Sequence, residues 1–357
     1  MTTKSKQLGR EFFDIDKQLE KLSKLKDPLE KLTKRIDFEV FRETLNEIYE
    51  KQERKSEAGA KPYDYVLMFK IIILQRLYNL SDEQTEFQLN DRLSFKRFTG
   101  LGLSVKVPDT NTIWMFKEKL KENENEKKLF VCFYAELEKQ KLVVSKGKMV
   151  DASFHEVPKQ RNSREENQEI KEGKVPEEWK KDENKHKLRH KDVEARWTKK
   201  NNVNFYGYKN HIKADVGSKL IDDYTVTAAN VHDSQTLEIL LTKKDKGQNL
   251  YGDAAYVGQE ETIEKVKMVN LIHEKGYKNA PLTDEQKEKN RGKSKYRAKV
   301  EHIFGFVENS MNGAEMRCLG NSRARVVIGI TNLAYNICRA VQLGIKMFGE
   351  RCVQTAV

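Results

Sequence analysis

The sequence predicts an α/β protein, a sheet covered by helices on both faces and preceded by an all-helical region. Three observations carry that prediction. Apolar residues recur at helical spacing through the first 120 residues. From about residue 142, short apolar runs alternate with stretches of helical pattern. Turn residues such as Val216-Gly217-Ser218 separate those runs.

The elements follow in order. Residues 14 to 60 are strongly charged, with Leu19, Leu22, Leu25, Leu29 and Leu32 at helical spacings, and Pro28 either interrupts that helix or starts a second. PYDYVLMFKIIILQRLY, residues 62 to 78, is long and apolar enough for a buried helix. Ser81 is placed to cap the next helix, with Gln84 at the capping-box position, and a third helix begins after Pro108-Asp109 with Ile113, Phe116 and Leu120 on one stripe. The spacing over 62 to 120 suits a helix-turn-helix DNA-binding module and an ordinary packing domain equally well. Strands are expected over 142 to 150, ending at Asp151, and over 203 to 216, 219 to 227, 248 to 251 and 268 to 273. Helices are expected over 234 to 244, 259 to 267 and 295 to 311. The polar stretch 158 to 202 has few large apolar residues and reads as a long insertion or loop. The expected division is a charged helical segment at 1–60, a helical DNA-end-binding region at 61–130, and a catalytic domain at 142–345 that carries the basic insertion.

Lys plus Arg number 67 against 55 Asp plus Glu, a formal charge of +12, which favours polyanionic partners. Cys132, Cys318, Cys338 and Cys352 form no CxxC pair, so neither a disulfide frame nor a zinc site is expected. The first residues lack a signal-peptide core, and no uninterrupted apolar run approaches the ~20 residues of a membrane span. A soluble intracellular protein without a membrane partner is expected.

Three acids stand out by position. Asp151 follows the first strand pattern, Asp253 follows the short run before Gly252, and Glu301 lies inside a helix. In α/β sheets, sites gather at the carboxyl ends of strands. Carboxylates are the oxygen donors that Mg2+ prefers, and two ions about 4 Å apart can activate the attacking oxygen and stabilise the leaving one in phosphodiester cleavage. On spacing alone, a chain with 55 acids can offer three such residues by chance. Around Glu301, Arg297, Gly305 and Glu308 share its helix face, opposite Val300, Ile303, Phe304 and Val307. Arg297 is placed to neutralise Glu301 or to reach a phosphate.

These motifs, taken in order, resemble the IS5-type DDE transposases of bacterial insertion sequences. The resemblance runs over roughly 60 to 340 and rests on the helical PYDYVLMFK…FTGL and PDTNTIWMFKEKL, then MVDASF, EARWTKKNNVNFYGYKNHIKAD, TAANVHDS, GDAAY and YRAKVEHIFGFVE. It implies an RNase H-like catalytic core in which Asp151, Asp253 and Glu301 bind Mg2+, with two ions expected and Mn2+ able to substitute. It implies cleavage of element ends and joining of their 3′ hydroxyls to target DNA. The implied partners are terminal inverted-repeat DNA, target DNA and a second copy in a dimeric DNA complex, and the implied location is cytoplasmic and nucleoid-associated. Two positions depart from the family pattern: Glu308 stands where a Lys is usual, and Ser294 where a Tyr is usual, with Tyr296 adjacent to Arg297 instead.

Basic residues are concentrated in 181 to 213, with Trp197, Phe205, Tyr206 and Tyr208 among them, and again in 287 to 299 before the Glu301 helix. Lys199, Lys200, Lys209, Lys293, Lys295, Arg297 and Lys299 are therefore the candidate DNA contacts. His232-Asp233 reads as a helix-starting turn or a brace for the strand end, and His155 as an unassigned polar neighbour. A nuclease without strand transfer and a decayed copy that only binds DNA are the competing functions.

Overall fold

A computed structural model describes residues 14–49, 61–200 and 202–345. Residues 1–13 and 50–60 of the expected first segment, and Cys352, lie outside the described residues. The helical part comprises α1 (Asp14–Lys24), α2 (Pro28–Arg35), α3 (Arg42–Tyr49), α4 (Tyr65–Leu77), α5 (Asp82–Asp91), α6 (Leu93–Thr99), α7 (Thr110–Leu120) and α8 (Asn125–Lys139). Pro28 starts α2 rather than breaking a longer helix, since its missing N–H is no loss in the first turn, and Asp27 accepts a hydrogen bond from the Leu29 N–H. α4 is apolar nearly all round and is buried on almost every side. Both halves of the capping box at Ser81 and Gln84 form, and Asp109 caps α7. The sequence reading passed over α6 and α8. α8 buries Leu129, Phe130, Phe133 and Leu137 on one stripe.

The second part begins with β1 (Gly147–Glu156) and continues through α9 (Arg164–Lys171), α10 (Lys185–His190), β2 (Arg196–Lys200), β3 (Val203–Asp215) and β4 (Ile221–Ala228). There follow α11 (Leu237–Leu240), β5 (Asn249–Tyr251), α12 (Glu260–Val266), β6 (Val269–Asn270), α13 (Asp284–Arg297), α14 (Lys299–Gly305) and α15 (Asn321–Leu343). The sheet runs β2-β3-β1-β5-β6, with β4 also paired to β3. β3 is antiparallel to β1, β2 and β4, while β5 runs parallel to β1 and β6 parallel to β5. One face packs, through Met149, Ile212 and Tyr251, into a core shared with α4, α8 and α15; the other packs Val150 and Leu250 under Leu237, Tyr256 and Ile263. α15 is long and apolar enough to cross a membrane, but 72% of that stretch is buried, and it is the central core helix.

Several expectations are corrected. The strand begins at Gly147 and runs past Asp151 to Glu156, because β3 pairs with it along its whole length. The stretch 158 to 202 is not a loop. Trp179 is fully buried and donates its indole N–H to Glu166 at 2.6 Å, Lys187 pairs with the same carboxylate, and Arg196–Lys200 form β2. A single large aromatic with a paired acid thus organises a segment whose composition suggested none. The helix expected over 234 to 244 is one turn of α11 between tight turns, since Asp245 turns inward to Lys213 and to the Thr242 N–H. β6 is short, although its ladder continues through Leu271 to the His273 N–H on the Gly252 carbonyl. The helix expected over 295 to 311 starts at the Thr283–Gln286 capping box, breaks at Ala298, and ends in a π turn at Phe306–Ser310.

Candidate active site

β1 and β5 are parallel neighbours in the register Gly147↔Asn249, Lys148↔Leu250, Met149↔Tyr251. Two residues beyond the last pair stand Asp151 on one strand and Asp253 on the other. Side chains alternate between faces, so continuing that register brings the two acids level, on the face of Met149 and Tyr251. Pairing to β5 stops at Met149, which opens the sheet at the level of Asp151. Asp253 begins a tight turn and accepts a hydrogen bond from the Ala255 N–H at 2.9 Å.

α13 and α14 supply the third acid. The Arg297 guanidinium donates through Nη1 to Asp151 Oδ2 and through Nη2 to Glu301 Oε1, each at 3.1 Å. Asp151 is buried, and its other oxygen accepts a hydrogen bond from the Ala152 N–H at 2.8 Å. Burial pushes its carboxyl up to about 6; the Ala152 hydrogen bond opposes the rise, Asp253's charge adds to it, and Arg297 and Lys200 pull it back. Glu301 is mostly exposed. Among the described residues no three His, Cys, Asp or Glu side chains stand close enough together to hold an ion. The donor set still suits Mg2+. Asp151 and Asp253 are hard oxygen donors close enough for Asp253's charge to raise the Asp151 carboxyl, a repulsion that a cation between them would relieve, and a guanidinium already lies against Asp151 and Glu301.

Residues 17–119 match the family described as a transposase domain (DUF772), and residues 145–337, more than half of the chain, match the transposase DDE domain. The chain belongs to the DDE transposase family. No solved structure matches it. Membership makes it an enzyme of the nucleotidyl-transferase or nuclease type, with DNA as its partner.

The transposase distributes its candidate DNA contacts unevenly. Lys199, Lys200 and Lys295 are exposed. Lys209 is buried and donates to the Val231 carbonyl at 2.7 Å and to Asp233 at 2.8 Å, so the expectation that it meets DNA is corrected. It alternates with His211 and Lys213 on the inner face of β3, where Asp233 and Asp245 supply the counter-charges. Asp233 of the His232-Asp233 pair is therefore a brace for β3. Lys293 donates to the Ile272 carbonyl and Lys299 to the Val216 carbonyl, which ties both ammonium groups to the protein. His155 is buried, its Nδ1 donates to the Gly313 carbonyl, and burial pushes it down to about 4.

Beside β1 lies a groove of about 950 Å³ whose lining includes Phe154, Phe205, Lys159, Lys200, Glu308 and Arg317. Glu308, one of the two departures, is exposed there. Ser294, the other, bonds the Asn290 carbonyl and lies 3.3 Å from His273 Nε2, while Tyr296 stacks on Tyr251. Two residues escaped the sequence reading. His273 lies near Asp253 and Arg297, and burial and then Arg297's charge lower its pKa. Tyr256 is buried near Asp151 and Asp253 with an unpartnered hydroxyl. A signal for each was present: His273 ends a strand pattern, and Tyr256 closes GDAAY.

Proposed function

We propose that the protein is an insertion-sequence transposase of the IS5 type. It hydrolyses the phosphodiester at element ends and joins the freed 3′ hydroxyls to target DNA. The observation that carries this reading is the parallel register of β1 and β5, which continued two residues beyond Met149↔Tyr251 brings Asp151 and Asp253 level, with Arg297 joining Asp151 to Glu301. The mixed sheet, antiparallel through β4, β3 and β1 and parallel from β1 through β5 to β6, agrees with an RNase H-like core.

Asp151, Asp253 and Glu301 would hold divalent ions, Mg2+ or Mn2+, which when bound supply an activated oxygen nucleophile and stabilise the leaving oxygen. The protein's own residues do the rest. Asp151, buried at the point where the sheet opens, fixes the reaction centre on β1, which is paired to β3 along its whole length. Arg297 balances the acids. Lys199, Lys200 and Lys295 hold phosphates as point charges. The helical region recognises element ends, and two copies act together on them.

The test uses a labelled duplex that carries the inverted repeats flanking the gene. Asp151→Asn, Asp253→Asn and Glu301→Gln each lose cleavage with Mg2+ by about a thousandfold, the several kcal/mol that metal ions supply, while duplex binding persists. Near wild-type cleavage by any one of them removes that residue from the centre. Cut ends without joined products would make the protein a nuclease rather than a transposase.

A further inference from the structure

Among the described residues Arg297 is the one side chain that bonds to two of the three acids, and it spans elements far apart in sequence: Nη1 meets Asp151 on β1 and Nη2 meets Glu301 on α14, both at 3.1 Å. Its neighbours are anchored elsewhere. Tyr296 stacks on Tyr251 with ring centroids 4.8 Å apart, and Lys299 Nζ donates to the Val216 carbonyl. The helix breaks between Arg297 and Glu301, at Ala298. Glu301 is 64% exposed, so its side chain is free to turn, and Arg297 keeps a solvent-facing edge at 25% exposure. In this arrangement no three His, Cys, Asp or Glu side chains among the described residues form an ion-binding group.

We propose that Arg297 is a displaceable internal counter-cation. It withholds Glu301 from the acidic pair until a DNA phosphate takes the guanidinium, and so couples metal loading to DNA binding. This rests on the reading of Asp151, Asp253 and Glu301 as metal ligands. A guanidinium fork exchanges carboxylates for phosphate at little cost, because both accept paired N–H donors. The exposed Lys295, Lys199 and Lys200 provide the field that brings the phosphate near. Arg297 thereby acts as a positioning residue on Glu301.

The experiment measures Mn2+ affinity of the full chain by calorimetry, alone and with a random-sequence 20-base-pair duplex (about two helical turns) at low salt. The duplex tightens Mn2+ binding by wild type about 5- to 50-fold, within the usual range of coupling between sites. Arg297→Gln binds Mn2+ about tenfold more tightly than wild type without DNA, and the duplex then adds less than about twofold, because the gate is already open. Arg297→Lys keeps the charge without the fork and also loses most of the coupling. Thermal melting establishes that each variant is folded. Equal Mn2+ affinity of wild type and Arg297→Gln without DNA overturns the proposal, as does wild-type coupling in Arg297→Lys. Asp151→Asn separates the two levels: if it loses Mn2+ binding while Arg297→Gln changes nothing, only the gate fails. If Asp151→Asn binds Mn2+ like wild type, the metal-site reading fails and the gate with it.

Discussion

Glu126 is a buried acid on α8 whose Oε2 has no hydrogen-bond partner, and Tyr224 beside it has an unpartnered hydroxyl. Burial pushes the Glu126 carboxyl up to about 7. The native chain therefore keeps this proton between an ordinary value of 4.5 and about 7, while the unfolded chain has released it. The state that binds more protons loses ground as pH rises, so Glu126 lowers stability progressively across that window. Glu126→Gln removes that loss. The difference in melting temperature between variant and wild type is near zero at the acid end of the window and grows in the variant's favour toward its upper end. The total is on the order of a few kcal/mol. A constant difference across the window would mean that Glu126 is ionised in the folded chain. His155 and His211, both pushed down to about 4 by burial, oppose this trend in the wild type, so the difference between proteins is the informative quantity rather than either curve. The candidate site also shows how far single residues can be read. Asp151, Asp253, Glu301 and Arg297 could be singled out as candidates because residue type and place in a strand or helix pattern are local properties. The role of Lys209 could not be read, because its fate depends on Asp233 lying beneath it across the sheet.

At the scale of elements, β1 and β3 control the site, since β3 fixes where β1 continues past Asp151. At the far end of their ladder Glu156 pairs with Gly207, whose φ is +151°, and a Cβ there would lie 2.2 Å from the His155 carbonyl oxygen. Gly207→Ala must therefore shift one strand or strain the backbone, and its expected cost is about 2 to 3 kcal/mol in urea unfolding. A loss below about 0.5 kcal/mol, within the range of ordinary surface substitutions, would show that the strands part there cheaply. Helix starts were legible at Ser81 and after Asp109, where one side chain and one backbone N–H settle them. The capping boxes at Ser163 and Thr283 were passed over, because the stretches around them are too polar to show an apolar stripe. The break at Ala298 was not legible either. Arg297, Glu301, Gly305 and Glu308 fit one continuous helix on spacing alone, whereas the structure separates α14, whose Val300 and Ile303 lie in the core, from α13, which buries none of its residues.

For the whole molecule, the helical part and the sheet share one hydrophobic core that extends from Leu29 to Ile345, with α15 lying against α4, α8 and β4. Asn79 donates to the Asn312 carbonyl and Arg323 pairs with Glu118 across the same boundary. The full chain is expected to melt in one transition. A fragment starting at residue 142 strips α15 of its helical neighbours and is expected to unfold without a cooperative transition, or to aggregate. A fragment with a sharp melt of its own would establish an independent catalytic domain.

Sequence alone determined the helix starts at Ser81 and after Asp109, the alternation of strands and helices in the second half, the acids and arginine as candidates for the site, and, through ordered motifs, the family. Each depends on a few neighbouring side chains or on a short pattern. Tertiary structure decided the rest. The 102 positions between Asp151 and Asp253 become meaningful only because β1 and β5 pair with that same offset. Trp179 turned an apparently structureless stretch into a packed one. Lys209, Lys293 and Lys299 became internal braces while Lys199, Lys200 and Lys295 remained exposed, although all six look alike in sequence. The physical reason is common to these cases: burial and charge pairing depend on which distant segment arrives at a face, and local propensity carries no information about that arrival.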